Sequence, residues 1–173
     1  MNRGLFIGRF QPFHKGHLAA LEWILNREDE VIVAIGSAQY SHSLRNPFTL
    51  GERIEMIWLT VKERGLADKV IIAGVPDTNG KHSLWVPLLL SYVPSFQRAY
   101  TNDPLSQRLF REHGIEVLPI PFFNRSEYCA TKIRELMLRG GEWEHLVPKP
   151  VAEYIKKIGG VERLREIYGT TLR

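Results

Sequence analysis

Apolar and polar residues alternate along the first third of the chain with two different periods. Residues 5–7 form a short apolar run, and Leu18, Leu21 and Leu25 then recur at helical spacing. A near-continuous β-branched run follows over residues 30–35. Strands that are apolar on both sides are typical of parallel sheets. The pattern therefore predicts a strand–helix–strand unit with parallel strands.

The same alternation continues to the end of the chain. Apolar runs at residues 69–74, 98–101 and 115–118 predict three further strands, each separated from the next by a helical pattern. We expect an α/β fold with a doubly wound, five-stranded parallel sheet of the Rossmann-like kind. We expect one domain over residues 1–173, with the sheet core in residues 1–147 and C-terminal helices in residues 148–173.

Local signals mark where two of the helices begin. Thr49 and Glu52 have the spacing of a capping box, and Asp103 before Pro104 is typical of an N-cap and first helical position. In the helix after Thr49 the predicted buried face consists of Ile54, Ile57, Trp58 and Val61. Three tryptophans in helical patterns, Trp23, Trp58 and Trp143, are interpreted as packing residues.

Composition and charge narrow the class of protein. The chain has 44% hydrophobic and 24% charged residues, a net charge of +4 and a pI near 9.3. These values fit a globular protein that handles small polyanions, and they fit equally well one with a merely basic surface. The basic residues are dispersed, which does not favour a nucleic-acid partner. No apolar run approaches the roughly 18 residues of a membrane span. One cysteine, Cys129, excludes an internal disulfide. We expect a cytoplasmic protein without a membrane partner.

The segment GRFQPFHKGH, residues 8–17, links the first strand to the first helix. Gly8 and Gly16 have no Cβ, so the backbone can approach a ligand or take a positive φ there. His14 and His17 lie at the helix start, where they can donate hydrogen bonds beside the helix N-terminus. In α/β proteins, a strand, a loop and a helix in this order present the loop and the helix N-terminus to a phosphate. The spacing differs from that of a P-loop.

This segment resembles the HxGH nucleotidylyltransferase superfamily and, more narrowly, the archaeal nicotinamide-mononucleotide (NMN) adenylyltransferases. The resemblance implies transfer of AMP from ATP to NMN by direct in-line attack, which yields NAD and pyrophosphate. It implies that His14 and His17 are catalytic donors to the phosphates and that Arg9 reaches the phosphates. Gly8, Phe10 and Gly16 would shape the ATP site.

A second motif, YCATKIR at residues 128–134, resembles the superfamily signature Ile-Ser-x-Thr/Ser-x-Ile-Arg. In that signature a helix N-terminus holds the triphosphate and the arginine clamps it. By position, Thr131 would bind ATP and Arg134 would be catalytic. Cys129 replaces the usual serine and is a weak hydrogen-bond donor, so backbone N–H groups would have to serve there. The alternative is an ordinary amphipathic helix with Arg134 as a surface charge.

The resemblance assigns NMN binding to Ser37, Arg45 and Trp85. Arg45 matches an arginine in the polar loop after the second strand, and Trp85 aligns with a tryptophan that stacks on nicotinamide. An indole face suits a pyridinium ring. His82 stands where the family has an asparagine. The alternatives are a solvated loop for Arg45 and a core-facing helix start for Trp85.

No residue cluster predicts a resident metal. His14 and His17 lack a carboxylate or cysteine at ligand spacing, so we expect Mg²⁺ to arrive with ATP, held by phosphates and water. The family resemblance also suggests a homo-oligomer, specifically a hexamer, that acts on small-molecule nucleotides.

Two alternative functions stay open. One is another HxGH enzyme, either a phosphopantetheine adenylyltransferase or a CTP-dependent transferase. The other is a non-catalytic module that binds nucleotides or nucleic acid. Activity with NMN against phosphopantetheine separates the first, and salt-dependent binding of RNA or DNA without pyrophosphate release would identify the second.

Overall fold

A computed structural model describes residues 1–171 of the chain. Its centre is a sheet of five parallel strands, in the order β3-β2-β1-β4-β5. The strands are β1 (Arg3–Gly8), β2 (Glu30–Ile35), β3 (Val70–Gly74), β4 (Arg98–Tyr100) and β5 (Glu116–Leu118). The predicted fold class is confirmed. The strand order reverses at β1, and open α/β sheets bind ligands in the crevice at such a point.

Helices connect the strands and cover the sheet. They are α1 (Lys15–Leu25), α2 (Leu50–Glu63), α3 (Trp85–Tyr92), α4 (Pro104–Glu112), α5 (Ala130–Arg139), α6 (Lys149–Lys157) and α7 (Gly160–Thr171). Short 3-10 turns occur at Ala67–Lys69, His82–Leu84 and Glu144–Leu146. Gly159 has a φ of +68° and separates the last two helices. The predicted helical region ran to residue 173, and residues 172 and 173 lie outside the described part.

The sheet has a hydrophobic core on each face, as the apolar strands require. Phe6 and Val33, which are paired in register, belong to the core under α1, α2, α5 and α6. Leu5 and Ile32, one position earlier, belong to the core under α3 and α4. Successive strand residues point to opposite faces, so a continuous apolar run supplies both cores. The carboxyl ends of the strands are thereby held in fixed positions.

The buried face of α2 differs from the predicted one. Thr49 and Glu52 form the predicted capping box, but the helix buries Arg53, Met56, Ile57, Thr60 and Val61. Trp58, predicted to pack in the core, is 41% exposed, and the Lys62 ammonium lies 5.9 Å from its ring centre. The sheet contacts a stripe that includes a polar arginine, whereas the sequence pattern had selected only apolar positions. Trp23 packs against Tyr100 and Trp143 is buried, as predicted.

Candidate active site

The two histidines form a reciprocal cap at the start of α1. The Nδ1 atom of His14 accepts the backbone N–H groups of Gly16 and His17, at 3.1 and 3.3 Å. The Nδ1 atom of His17 accepts the backbone N–H of His14 at 3.1 Å. A neutral imidazole has one acceptor and one donor nitrogen, so this pattern assigns the proton of each ring to Nε2. Both histidines can therefore donate through Nε2 while Nδ1 holds them in place.

Close packing keeps both imidazoles neutral. Their rings are stacked with centres 3.5 Å apart, and the Phe10 ring meets His17 edge-on at 4.8 Å. Burial lowers the pKa of His14 to about 4. Burial, together with the neighbouring His14, lowers the pKa of His17 well below its ordinary value. The pair therefore supplies hydrogen-bond donors, and positive charge must come from other residues.

The second motif lies against the first, although 123 residues separate the two contacting groups. Arg134 donates from Nη1 to the backbone oxygen of Gln11 at 2.8 Å, and its Nη2 lies 3.5 Å from the Thr131 hydroxyl. Arg134 is only 7% exposed, which rules out the alternative of a surface charge. A cavity of about 320 Å³ is lined by both histidines and by Cys129 and Ala130. The first turn of α5 therefore faces the imidazole pair.

The start of α5 is built differently from the starts of α1, α2 and α4. Cys129 is its N-cap, in extended conformation, and makes no side-chain hydrogen bond to the helix. The thiol is free and half-buried. Thr131 lies in the first turn and is exposed. Helix N-termini attract anions because their first N–H groups lack partners within the helix. The first turn of α5 keeps this capacity.

The junction of the two motifs is surrounded by four arginines: Arg9, Arg45, Arg53 and Arg134. Burial and the charge of Arg45 lower the pKa of Arg9, while burial and the charge of Arg9 lower the pKa of Arg53 to about 10. Burial and Arg9 also lower the pKa of Arg134. Within residues 1–171, none of the four lies within 4.0 Å of a carboxylate oxygen. Such a cluster of cations suits an anionic ligand with several charges.

A second, larger cavity of about 560 Å³ opens at the carboxyl ends of the strands. Five predicted site residues line it: Gly8, Arg9, Ser37, Arg45 and Trp85. The Trp85 ring is half-buried and also meets Phe110 edge-on at 5.4 Å, so it joins the core to the cavity. His82, noted as a departure from the family pattern, lines the same cavity. The structure thus brings the residues assigned to NMN next to the loop assigned to ATP.

Gly8 lines the larger cavity and Gly16 the smaller one, so close approach of the backbone to a ligand stays a prediction for both, whereas the alternative reason, a positive φ, is wrong. Gly8 and Gly16 do not have positive φ. A Cβ on Gly8 would lie 2.8 Å from the Phe10 ring, and one on Gly16 would lie 2.9 Å from the His14 ring and 3.0 Å from the Cβ of Tyr128. Phe10 has a φ of +53°, is buried, and lines neither cavity. Packing of the Phe10, His14 and Tyr128 side chains therefore leaves no room for a larger residue at either glycine.

Two residues that sequence reasoning missed join the loops of the site. The buried Gln11 amide exchanges two hydrogen bonds with the backbone of Phe48, at 3.0 and 2.9 Å. Arg53 is fully buried and donates to carbonyl oxygens of the loops after β1 and β2. Arg53 has Glu52 and Glu55 close by in the sequence, so its local composition gave no signal of burial. Sequence reasoning also did not select Asp77, Asp103 and Ser106, which line the larger cavity.

Two kinds of feature do not occur in residues 1–171. No three His, Cys, Asp or Glu side chains there are grouped so that they could hold a metal ion. No helix of that part has the length and apolar character needed to cross a membrane.

Comparison with known proteins places the chain in a family. Residues 5–136 match the cytidylyltransferase-like family. A nicotinamide-nucleotide adenylyltransferase from Pyrococcus furiosus is 52% identical, and the match covers 95% of this chain and 88% of the relative. A protein of the same name from Archaeoglobus fulgidus is 49% identical, with 96% of this chain and 98% of the relative covered.

Solved structures show the same fold in a longer chain. A bifunctional NMN adenylyltransferase/ADP ribose pyrophosphatase from Francisella tularensis aligns with a TM-score of 0.81 at 23% identity, covering 99% of this chain and 54% of the other. Its complex with AMP and a manganese ion aligns with a TM-score of 0.79 at 24% identity, and the alignment covers 96% of this chain and 51% of the other. The chain therefore spans about half the length of these structures. By its family match and its near-full-length identity to the curated archaeal proteins, the chain belongs to the cytidylyltransferase-like family and, within it, to the nicotinamide-nucleotide adenylyltransferases.

Proposed function

We propose that this protein transfers AMP from ATP to NMN and so forms NAD and pyrophosphate. One observation carries the proposal. The imidazole pair of α1 and the start of α5 line one cavity at the carboxyl ends of the strands, Arg9 and Arg45 line the adjoining one, and Arg134 donates to the loop that joins β1 to α1. The names of the archaeal relatives, which are about half identical to this chain, support the same reaction.

The reaction needs alignment and charge stabilisation more than acid–base chemistry. The NMN phosphate is ionised near neutral pH, so its oxygen attacks the α-phosphorus of ATP without a general base. A new P–O bond forms as the bond to the bridging oxygen breaks, and pyrophosphate leaves with its electron pair. Negative charge on the phosphates grows at the site of transfer. Neutral imidazoles that donate from Nε2 suit this step because no proton has to move.

The arrangement of residues suggests a division of the site. ATP would bind where the loop of residues 8–17 meets α5, with His14, His17 and Arg134 at the transferring phosphates. Gly8, Gly16, Phe10, Arg9 and Thr131 would form the rest of the ATP site. NMN would occupy the larger cavity, with Trp85 against the pyridinium ring and Ser37 and Arg45 near its phosphate. Ile7 and Thr101 line both cavities, so the cavities adjoin at the ends of β1 and β4, where the two phosphates would meet.

Further expectations follow from the same assignment. The metal would be Mg²⁺ that enters as part of the MgATP substrate. We also propose a single domain over residues 1–173, a cytoplasmic location and a homo-oligomer, hexameric by family resemblance. The partners would be small-molecule nucleotides, with neither nucleic acid nor membrane among them.

A pyrophosphate-release assay tests the proposal. ATP and Mg²⁺ are supplied with NMN, its nicotinic-acid analogue, phosphopantetheine or glycerol phosphate, and CTP replaces ATP in a parallel set. We expect release with NMN and ATP, together with formation of NAD. Release with phosphopantetheine or with CTP, but not with NMN, would transfer the assignment to another member of the superfamily. Salt-dependent RNA binding without release would favour a binding module.

A further inference from the structure

Arg53 uses all five of its donors on backbone carbonyl groups. Its Nη1 donates to Arg9 and Gly36, at 2.9 Å each. Its Nη2 donates to Ser37 at 3.2 Å and reaches Tyr40 at 3.5 Å, and its Nε donates to Thr49 at 3.2 Å. A guanidinium group has five N–H donors in a rigid planar fork. One fully buried side chain therefore joins the loop after β1, the loop after β2 and the start of α2.

The carbonyl groups that Arg53 binds belong to a constrained part of the backbone. Phe10 and Ser37 have φ values of +53° and +47°, which non-glycine residues adopt only when the surrounding structure holds them there. Arg53 binds the carbonyl before Phe10, the carbonyl before Ser37 and that of Ser37 itself. The guanidinium group thereby holds the peptide groups that orient Arg9 and Ser37 toward the larger cavity.

The charge of Arg53 has no carboxylate partner within 4.0 Å among residues 1–171. Arg98 and Arg163, by contrast, each form two hydrogen bonds to one glutamate. Carbonyl dipoles solvate the Arg53 charge without cancelling it. The site therefore has a fixed positive charge behind Arg9, in a region shielded from solvent.

We infer that Arg53 is a positioning residue of adenylyl transfer, which sets the geometry of both substrate loops and adds positive charge beneath the phosphates. It touches neither substrate, because it is fully buried and all five donors are used. The inference rests on the proposed function. Substitution by lysine separates the positioning of the loops from the contribution of the charge. A lysine keeps the positive charge, but its compact ammonium group has only three donors and cannot span the same carbonyls.

The experiment compares Arg53→Lys and Arg53→Met with the wild type. Turnover is measured with saturating ATP and NMN, and binding of MgATP is measured by calorimetry without NMN. We expect both variants to lose roughly 100-fold in turnover, because a small misplacement of reacting groups has effects of that size. We expect Arg53→Lys to bind MgATP nearly as the wild type does, and Arg53→Met to bind about tenfold more weakly, the equivalent of one modest charge interaction.

Arg98→Met is the matched control. Arg98 pairs with the buried Glu28 at the amino-terminal edge of the sheet, so its loss should lower the melting temperature and leave turnover and ATP affinity unchanged. If the Arg53 variants behave like this control, Arg53 is merely structural and the inference is overturned. Should Arg53→Met fail to fold, Arg53→Lys decides the question through its turnover. A wild type that binds ATP without making NAD would instead overturn the proposed function, and ATP affinity would still report on the charge of Arg53.

Discussion

The imidazole of His17 has two tasks that a substitution removes together. Its Nδ1 atom caps α1 by accepting the His14 N–H, and its Nε2–H is the donor proposed for the phosphates. Removing one preorganised donor of this kind typically lowers turnover by roughly 10²–10³-fold. We expect His17→Ala to do so with little change in the ATP concentration at half-saturation. Steady-state NAD formation provides the measurement.

His113→Ala serves as the control for His17→Ala. His113 ends α4, contacts the Leu109 carbonyl at 3.1 Å and lines neither cavity. It should keep wild-type turnover. If His17→Ala retains more than a small fraction of the wild-type rate, His17 is a cap without a catalytic role.

The burial of His14 also makes stability depend on pH. Its pKa falls from 6.5 to about 4 on folding, so between these values the unfolded chain binds a proton that the folded chain does not. Stability therefore decreases as the pH falls through this window, by about 1.4 kcal/mol per pH unit. In His14→Asn the cap is kept and the titration is lost. Urea unfolding at pH 6.5 and 5.0 should show a difference in stability about 1.5 kcal/mol smaller for the variant. Parallel losses in both proteins would contradict the assignment of this effect to His14.

An ion pair between Arg163 and Glu52 joins α7 to α2 and contributes to the stability of the fold. Arg163 makes two hydrogen bonds to Glu52, at 2.6 and 2.7 Å, and a third to the Pro47 carbonyl. Glu52 also accepts the Thr49 N–H of the capping box. Because the pair is mostly buried, removing one partner leaves the other charge poorly solvated. We expect Arg163→Met to lower the free energy of unfolding by about 2–3 kcal/mol, the low end of the effect for a buried pair, because the two side chains are still 20% and 14% exposed.

A comparison with an exposed pair tests this account of Arg163. Arg108→Met removes the partner of Glu112, in a pair whose side chains are 74% and 49% exposed, and should change stability by less than about 0.5 kcal/mol. The double variant Arg163→Met with Glu52→Gln should recover part of the loss, because no charge is then left unpaired. Equal effects of Arg163→Met and Arg108→Met in urea unfolding would show that burial of the pair is unimportant.

Element starts were predictable because their signals are local. Thr49 with Glu52, and Asp103 with Pro104, each act within one helical turn, so the correct caps follow from a few residues. The buried face of α2 depends on which side meets the sheet and the loops. Trp58 was predicted to lie in the core because it is apolar, yet it is exposed, and the charged Arg53 is buried instead. The periodicity of apolar residues does not show that backbone carbonyl groups of distant loops accept hydrogen bonds from a buried guanidinium group.

Across the fold as a whole, the sheet could be predicted from the sequence, and both motifs could be recognised in it. The contacts that join the loops of the site could not be predicted. A parallel strand is apolar on both faces, so β1 and β2 are recognisable from their residues. Family resemblance supplied the roles proposed for the histidines and Arg134. The contact between Gln11 and Phe48, and the network of Arg53, join segments distant in the chain and have no short-range signal.

The concentration of arginines in one site, on a chain with a net charge of only +4, predicts how salt affects substrate binding. Electrostatic attraction between exposed charges is screened over about 10 Å at 0.1 M salt and about 3 Å at 1 M. We expect the KM for NMN to rise with KCl concentration. Arg45 is exposed and lines the larger cavity, so Arg45→Gln should reduce this dependence. Lys149→Gln removes the same charge from α6, where the side chain is 82% exposed, and should leave the dependence unchanged. Equal slopes for the two variants would mean that NMN binding responds to net charge and not to the arginine cluster.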